Sequence, residues 1–265
     1  MDLQLQDQHA VVFGCARGIG RAIAEAFAAE GCKLGLVDVS PAVEQTAKQI
    51  GDNCHAATAD VSDNDQINQA LDALTAKSGP ICHVVYAVGI GSGKFGFPFW
   101  NLDPEDWPRV VDVNLTCAAR VAHAVAPQLI KQAGNTMLFL VSVAAQIGSP
   151  TDPPYSAAKA GLVNFMQCAA KDFAPYGVRA NALSPGMVQT ELNKSVWAAG
   201  QELLPEAERQ SYEEWGQAKI SKNSPLGRWQ KPDEFGSMAV YLASHRARNI
   251  TGQTINIDGG QVMHS

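Results

Sequence analysis

A glycine-rich turn between an apolar run and an amphipathic stretch constrains the fold of this chain more than any other feature. Residues 9–13 are apolar and predict a buried strand, and residues 21–30 carry apolar side chains at helical spacing. Gly14, Gly18 and Gly20 lie between them. Glycines permit a tight turn, and the helix N-terminus that follows offers N–H groups to a pyrophosphate. The pattern predicts a dinucleotide-binding unit, and the alternative is an ordinary strand–helix turn.

Short apolar runs alternate with helical stretches along the whole chain. The strands predicted in this way are residues 9–13, 34–38, 54–58, 81–87, 137–142, 178–183 and 254–257. The clearest helices are residues 21–30, 64–76 and 104–131. This alternation predicts an α/β fold, a Rossmann-type doubly wound parallel sheet of about seven strands with helices on both faces. Because composition does not change along the 265 residues, we expect one domain over residues 1–265.

Composition and charge exclude several classes of protein. A net charge of −6 without a basic run argues against a nucleic-acid surface. No apolar run reaches the length of a membrane span, and the N-terminal stretch lacks the pattern of a signal peptide. The six cysteines stand singly, which argues against a zinc site or a redox pair and so predicts no metal. We therefore expect a cytoplasmic protein that acts on a small molecule.

The end of the second predicted strand carries a candidate cofactor-selecting carboxylate. Asp38 lies eighteen residues after Gly20, where a dinucleotide fold places the carboxylate that accepts hydrogen bonds from ribose hydroxyls. A carboxylate would repel a 2′-phosphate, and the next residue is Val39 rather than Arg, so the pattern favours NAD over NADP. Arg17 is an opposing signal because a cation in the glycine turn could meet a phosphate. The alternative role for Asp38 is to cap the following helix.

A tyrosine and a lysine one helical turn apart are the candidate reactive pair. Tyr155 and Lys159 are four residues apart, which places them on one face of a helix. A lysine cation beside a phenol favours the phenolate, so we expect it to lower the pKa of Tyr155. Oxidation of an alcohol needs such a base, because the hydroxyl loses its proton as the carbon loses hydride. The alternative is an ordinary surface helix.

These motifs together resemble those of the short-chain dehydrogenase/reductase family over essentially the whole chain. The matching motifs, in order, are Gly14-x3-Gly18-x-Gly20, Asp60-Val61, Asn114, Ser142, Tyr155-x3-Lys159 and Pro185-Gly186 with Thr190. Each is weak alone, whereas six in the right order are specific. Ser142 also precedes Tyr155 by thirteen residues, the usual spacing in this family.

The resemblance implies four catalytic residues. Tyr155 would be the base in alcohol oxidation and the acid in carbonyl reduction, and Ser142 would orient the substrate oxygen. Lys159 would favour the phenolate and hold the nicotinamide-ribose hydroxyls. Asn114 would hold a water that links Lys159 to solvent; alternatively it is a buried side chain satisfied by the backbone.

The resemblance also implies a set of cofactor contacts, with one departure. Besides Tyr155 and Lys159, the implied contacts are Gly14, Arg17, Gly18, Ile19, Gly20, Asp38, Asp60, Val61, Ala87, Gly89, Pro185, Gly186, Val188 and Thr190. Asp60 would bond the adenine amino group, or else cap the helix at 64–76. Many family members carry Asn-Asn-Ala-Gly where this chain has Tyr86-Ala87-Val88-Gly89. Support of the central strand by those asparagines must therefore come from elsewhere.

The long stretch at residues 191–228 is the predicted substrate loop. It contains Trp197 among many polar residues, a mixture that suits a sugar, polyol or hydroxy acid, although a mobile lid would have the same composition. Gln146 could also contact substrate, and residues 95–100 could form an apolar wall or pack inside. The alternative functions are a carbonyl reductase of the 3-oxoacyl type and a non-catalytic dinucleotide-binding regulator.

The resemblance finally implies a homotetramer or dimer that packs through the helices near residues 104–131 and 155–174. Apolar residues are plentiful in the second of these helices, and large apolar patches mark interfaces. The residues concerned are Val163, Phe165, Met166 and Phe173. The alternative is that they face their own sheet.

Overall fold

The computed structural model describes residues 2–149 and 151–263, apart from the side chain of Leu192, so four residues of the predicted domain lie outside the description. The described residues form a seven-stranded sheet of order β3-β2-β1-β4-β5-β6-β7, parallel throughout. The strands are β1 His9–Phe13, β2 Lys33–Asp38, β3 Cys54–Thr58, β4 His83–Tyr86, β5 Thr136–Leu140, β6 Arg179–Pro185 and β7 Thr254–Ile257. The predicted doubly wound parallel sheet is confirmed.

Helices cover both faces of this sheet because successive strand residues point to opposite sides. The helices are α1 Gly18–Ala29, α2 Ala42–Ile50, α3 Asn64–Ser78, α4 Trp107–Val111, α5 Cys117–Leu129, α6 Pro153–Phe173, α7 Glu191–Glu202, α8 Tyr212–Asn223 and α9 Pro232–Ala243. On β1, Val11 and Phe13 pack in the core with α3, α5 and α6. Ala10 and Val12 of the same strand pack with α1, α2 and α9. Two apolar layers therefore hold the sheet.

The strand order places the glycine turn at the centre of the sheet. The chain runs outward from β1 to β2 and β3, then returns to β4 on the other side of β1. Connections leave β1 and β4 in opposite directions at this point, which opens a crevice at the carboxyl ends of the strands. The predicted cofactor and catalytic motifs follow these strand ends, so the topology gathers them along one edge.

The long helix predicted at residues 104–131 is interrupted. A π-helical turn, Asp112–Thr116, separates α4 from α5. Its signature is the amide of Cys117, which donates to the carbonyl of Asp112, five residues back. Such turns are frequent at functional sites, and this one contains Asn114. The apolar periodicity that predicted one helix does not reveal a single inserted residue.

The apolar residues of α6 do not support the predicted oligomer. Met166 and Phe173 are buried in the protein's own core, and Val163 and Phe165 pack against that core. Phe165 meets Phe139 of β5 edge to face, with ring centroids 5.8 Å apart. These residues face their own sheet, as the alternative stated, so the oligomer stays a prediction on the resemblance alone.

Two absences concern only the part of the chain that the structure describes. No helix there combines the length and the apolar character that crossing a membrane requires. The same residues contain no cluster of three or more histidine, cysteine, aspartate or glutamate side chains arranged to hold a metal ion.

A buried histidine in β4 makes the fold sensitive to acid. His83 is almost fully buried between the Thr136 hydroxyl, 2.8 Å from Nδ1, and the Gln8 side-chain oxygen, 2.7 Å from Nε2. Burial lowers the pKa of His83 from 6.5 to about 3. Below pH 6.5 the His83 imidazole is therefore protonated in the unfolded chain but neutral in the folded protein. The free energy of unfolding falls as pH drops from 6.5 toward 3. By pH 5 this loss amounts to about 2 kcal/mol.

We expect His83→Gln to remove about 2 kcal/mol of the stability difference between pH 7 and pH 5. Urea unfolding at both pH values measures it for the wild type and the variant. His123→Gln, at an exposed position of α5, is the matched control and should keep the wild-type difference. An unchanged pH difference in His83→Gln would show that other groups cause the acid sensitivity.

Candidate active site

Ser142, Tyr155 and Lys159 meet at the carboxyl edge of β5. Ser142 follows β5, and its hydroxyl accepts a bond from the Ala144 amide at 3.1 Å, which fixes the turn after the strand. Helix α6 begins with Pro153 and Pro154, so its first turn is rigid where Tyr155 stands. The Ser142 hydroxyl interacts with Tyr155. The structure therefore brings these three predicted residues together.

Lys159 is buried, and the backbone holds its ammonium group. Nζ donates to the carbonyl oxygen of Leu140 at 2.8 Å and to that of Val88 at 3.4 Å. It lies 5.7 Å from the centroid of the Tyr155 ring. Lys159 thus bridges the end of β5 and the segment that follows β4, and its charge faces the tyrosine ring.

The prediction that the Tyr155 pKa is lowered is wrong for the protein without a bound cofactor. Burial raises the pKa of Tyr155 to about 12, the nearby Asp152 adds to the rise, and the Ser142 hydroxyl opposes it. Burial also lowers the pKa of Lys159 to about 7, which weakens the cation at neutral pH. Desolvation disfavours both charges, and a pattern of two residue types contains no information on burial.

Asn114 has a buried side-chain oxygen, without a partner in the described part of the chain, near Lys159. Its side-chain nitrogen donates to the carbonyl oxygens of Ile90 and Val110, both at 2.8 Å. Its Oδ1 is buried and has no hydrogen-bond partner among the described residues. A β-carbon placed on Gly89 would lie 3.1 Å from this Oδ1 and 3.4 Å from Lys159 Nζ. The orphaned oxygen and the ammonium therefore border the same small space, which suits the predicted water.

The glycine turn is shaped for close approach to an anion. Gly14 has a φ of +80°, and a β-carbon there would lie 2.8 Å from the Val88 amide nitrogen. Gly18 has a φ of +63°, and a β-carbon on it would meet no described atom within 4 Å. Within the described residues no side chain caps the start of α1, where Ile19 and Gly20 lie and Arg17 is exposed. Uncapped N–H groups beside open space fit the pyrophosphate of a dinucleotide.

Asp38 holds the glycine turn instead of capping a helix. Its Oδ2 accepts from the Ala16 amide and its Oδ1 from the Ser40 amide, both at 2.9 Å. Helix α2 begins after Pro41, so the alternative role as its cap is wrong. An ionised carboxylate has about four acceptor sites, and two of them remain for ribose hydroxyls.

Asp60 and Val61 follow β3, and here too the capping alternative is wrong. Asp63, not Asp60, caps α3, because its side chain accepts from the amides of Asp65 and Gln66. Asp60 accepts from the Ser62 amide at 2.8 Å, and bonds from Ser62 lower the Asp60 pKa. Val61 is buried in the core under this turn. Asp60 therefore lies at the carboxyl edge of the sheet and does not cap a helix.

The remaining predicted cofactor residues follow β4 and β6 along the same edge. The Ala87 amide donates to the Phe13 carbonyl oxygen at 2.9 Å, which joins the turn after β4 to β1. Pro185 ends β6, the Gly186 amide donates to the Ile257 carbonyl at 3.2 Å, and Val188 is buried. Thr190 caps α7, and its hydroxyl accepts from the Asn193 amide at 3.2 Å. The cap leaves the Thr190 hydroxyl proton available for a further acceptor.

The predicted substrate loop consists of two helices, α7 and α8, joined by an aromatic cluster. Tyr212 packs against three tryptophans, one edge to face, one stacked and one tilted, at 5.8 to 5.9 Å between ring centroids. These tryptophans are Trp197, Trp215 and Trp229. The indole N–H of Trp197 donates to the Gln210 carbonyl at 3.0 Å. The aromatic rings thus pack largely against one another, and substrate contact by Trp197 stays a prediction.

Gln146 is engaged with the sheet. Its side-chain nitrogen donates to the Ser184 hydroxyl at 3.0 Å and to the Asn256 side-chain oxygen at 2.7 Å. Asn256 returns a bond at 2.9 Å. Gln146 therefore joins β6 and β7 to the turn after β5, and its predicted contact with substrate is untested.

Sequence reasoning missed Asp152, a buried carboxyl group three residues before Tyr155. Its Oδ2 accepts from the Ser92 amide at 2.7 Å, and burial raises its pKa. The Gly96 amide also donates to the Thr151 carbonyl at 2.9 Å, so the loop after β4 is tied to the start of α6. An aspartate before two prolines signals a helix start, but nothing in the sequence shows that it also binds a distant loop.

That loop carries exposed aromatic side chains. Phe97, Phe99 and Trp100 expose 60%, 66% and 71% of their surfaces. Phe95, in contrast, packs about 3.5 Å from where a β-carbon on Gly200 of α7 would lie. The interpretation that these residues simply pack inside is wrong for the three exposed ones, and the loop borders both α7 and the Tyr155 segment.

Comparisons with known proteins find matches over nearly the whole chain. A family model described as enoyl-(acyl carrier protein) reductase matches residues 14–262. A 3-oxoacyl-acyl-carrier-protein reductase of Thermotoga maritima is 30% identical over 265 residues, covering 98% of this chain and 100% of the relative. A D-threitol dehydrogenase of Mycolicibacterium smegmatis is 32% identical over 263 residues, covering 98% and 94%. The solved aldohexose dehydrogenase of Thermoplasma acidophilum superposes with a TM-score of 0.85 at 26% identity, covering 100% and 98%.

Proposed function

Because the chain belongs to the short-chain dehydrogenase/reductase family of oxidoreductases, we propose that it interconverts a polar secondary alcohol and its carbonyl with NAD as the cofactor. One observation carries the proposal: Ser142, Tyr155 and Lys159 converge beside the orphaned oxygen of Asn114. Intact catalytic residues argue against the alternative of a non-catalytic regulator, which has no need of them.

In the proposed reaction each residue has a role that its position supports. The Ser142 hydroxyl and the Tyr155 hydroxyl both bond the substrate oxygen, so the reacting carbon is fixed in place. In oxidation Tyr155 takes the hydroxyl proton, and in reduction it returns one. Lys159 and Asn114 pass protons between Tyr155 and solvent through water in the space beside Gly89. The nicotinamide ring, when bound, accepts or supplies the hydride.

The described residues fit a dinucleotide along the carboxyl edge of the sheet. The amides after Gly18 would hold the pyrophosphate, Asp38 the adenine ribose, and Asp60 with Val61 the adenine. Ala87 and Gly89 would approach the riboses by their backbone, and Lys159 would bond the nicotinamide ribose. Contacts at the nicotinamide end would come from Pro185, Gly186, Val188 and Thr190.

The substrate class rests on the polar surface of α7 and α8 beside the aromatic cluster. Relatives named for D-threitol and for aldohexoses are consistent with a polyhydroxylated substrate. The second candidate is a 3-oxoacyl thioester, which relatives named as 3-oxoacyl reductases favour. The exposed Phe97, Phe99 and Trp100 also favour it, because they could cover an apolar chain. We retain a cytoplasmic location, which the composition and the single cysteines support, and an assembly of two or four copies, which the family resemblance supports.

A turnover assay separates the two candidates. Purified protein is tested by absorbance with NAD and D-threitol, D-glucose or a hydroxy acid, and in the other direction with acetoacetyl-coenzyme A and either NADH or NADPH. The proposal expects turnover of a hydroxylated substrate with NAD. Faster turnover of the thioester would favour the second candidate, and binding of NADH without any turnover would favour the regulator.

We expect NAD to exceed NADP by at least about fivefold in kcat/KM. Two like charges about 4 Å apart cost about 1 to 4 kcal/mol near a protein surface, and the Asp38 carboxylate would face the added phosphate. Asp38→Asn removes this charge but keeps an acceptor for the Ala16 amide, so the preference should narrow. Adding Val39→Arg, at an exposed position, should narrow it further.

Steady-state kinetics with both cofactors measures this preference for the wild type and the variants. Glu44→Gln, an exposed carboxylate of α2, is the matched control and should keep the wild-type ratio. Equal or better kcat/KM with NADP in the wild type would rule out Asp38 as the selecting residue.

A further inference from the structure

Tyr86 occupies the last position of β4, between Phe13 of β1 and Phe139 of β5 in the sheet. The side chain is fully buried. Its hydroxyl donates to the carbonyl oxygen of Val113 at 2.6 Å. Burial raises the Tyr86 pKa well above its ordinary value, so the hydroxyl remains a donor at every pH at which the protein would be assayed. This bond joins the central strand to the π-helical turn.

The π-helical turn explains why the Val113 carbonyl needs such a donor. In a regular α-helix, the amide of Cys117 would donate to Val113, four residues back. Here that amide donates to Asp112 instead. The Val113 carbonyl therefore loses its α-helical partner inside the protein, where an unpaired backbone oxygen is costly. The Tyr86 hydroxyl supplies a donor at this point.

The next residue along the turn is Asn114. Its side-chain nitrogen is held by Ile90 and Val110, while its Oδ1 borders the space that contains Lys159 Nζ. The direction of that oxygen depends on the backbone position of the π-helical turn. Tyr86 bonds the turn at Val113, one residue before Asn114.

We propose that Tyr86 is a positioning residue that holds the π-helical turn so that Asn114 Oδ1 faces Lys159. In this chain the tyrosine hydroxyl takes over the support of the central strand that asparagines at residues 86 and 87 would give. The catalytic meaning of this positioning rests on the proposed function, whereas the structural link between Tyr86 and the turn does not.

The test is Tyr86→Phe, which removes the hydroxyl and keeps the ring. Hydrogen exchange followed by mass spectrometry should show faster exchange in a peptide that covers residues 112–118. With D-threitol and NAD, or whichever substrate of the panel is turned over, kcat should fall about 10-fold or more, since small misplacements carry such costs. In an Asn114→Ala background the same substitution should have little further effect on kcat, because Tyr86 acts through Asn114.

Thr136→Val is the matched control, since it removes another buried hydrogen bond of the central sheet, the one to His83. It should lower the unfolding temperature but leave kcat and the exchange at 112–118 unchanged. Unchanged exchange at 112–118 in Tyr86→Phe overturns the inference, as does the same fold-loss of kcat with and without Asn114. If the wild type turns over nothing in the panel, the proposed function fails. Hydrogen exchange alone then tests whether Tyr86 holds the π-helical turn.

Discussion

Tyr155→Phe is expected to lower kcat by about 10² to 10⁴-fold, the typical contribution of a general base. The substitution removes only the hydroxyl that exchanges the proton with substrate, so the affinity for NADH should remain near that of the wild type. The rate of alcohol oxidation by the wild type should rise with pH, because only the phenolate accepts the proton and burial raises the pKa of Tyr155 to about 12.

Turnover is followed by NADH absorbance and NADH affinity by fluorescence titration. Tyr176→Phe, at an exposed tyrosine just after α6, is the matched control and should leave both quantities unchanged. Near-normal turnover by Tyr155→Phe on the wild type's best substrate would remove Tyr155 from the reaction and revive the regulator hypothesis.

Lys159→Met is expected to lower kcat/KM by about 10²-fold or more, in the range found for loss of one preorganised donor. It should also weaken NADH binding, since Lys159 is proposed to bond the ribose as well as to pass protons. The variant keeps most of the side-chain volume and removes a charge that is buried beneath the carbonyl oxygens of Leu140 and Val88.

The same variant should change how stability depends on pH. The pKa of Lys159 is lowered from 10.5 to about 7 in the folded protein, so the unfolded chain binds the proton more tightly between these values. Stability of the wild type therefore gains about 2 kcal/mol from this group between pH 7 and pH 9. Urea unfolding should show this gain missing in Lys159→Met.

Lys171→Met, an exposed lysine of the same helix, is the control and should retain the wild-type pH dependence. If Lys159→Met lost activity while its stability still rose with pH as in the wild type, the pH dependence would not come from a lowered pKa of Lys159. The activity and stability measurements therefore test separate statements about this residue.

Local pattern in the sequence determined the fold and the position of most site residues. The glycine turn predicts a strand–helix unit because its φ angles and close contacts exclude other residues at Gly14. Alternation of apolar runs predicts the parallel sheet, since both faces of each strand must be buried. Tyr155 and Lys159 share a helix face by spacing alone. These features depend on residues near one another along the chain.

The chemistry of the site was decided by tertiary structure, because it depends on burial and on contacts between distant segments. The direction of the Tyr155 pKa follows from desolvation, which outweighs the hydrogen bond with the Ser142 hydroxyl. The orientation of Asn114 follows from an extra residue in a helical turn and from a bond to Tyr86, 27 positions before Val113. The link from Asp152 to Ser92 spans 60 positions. Periodicity and spacing report the conformation of one segment, whereas solvent access and hydrogen-bond partners arise only when segments pack together.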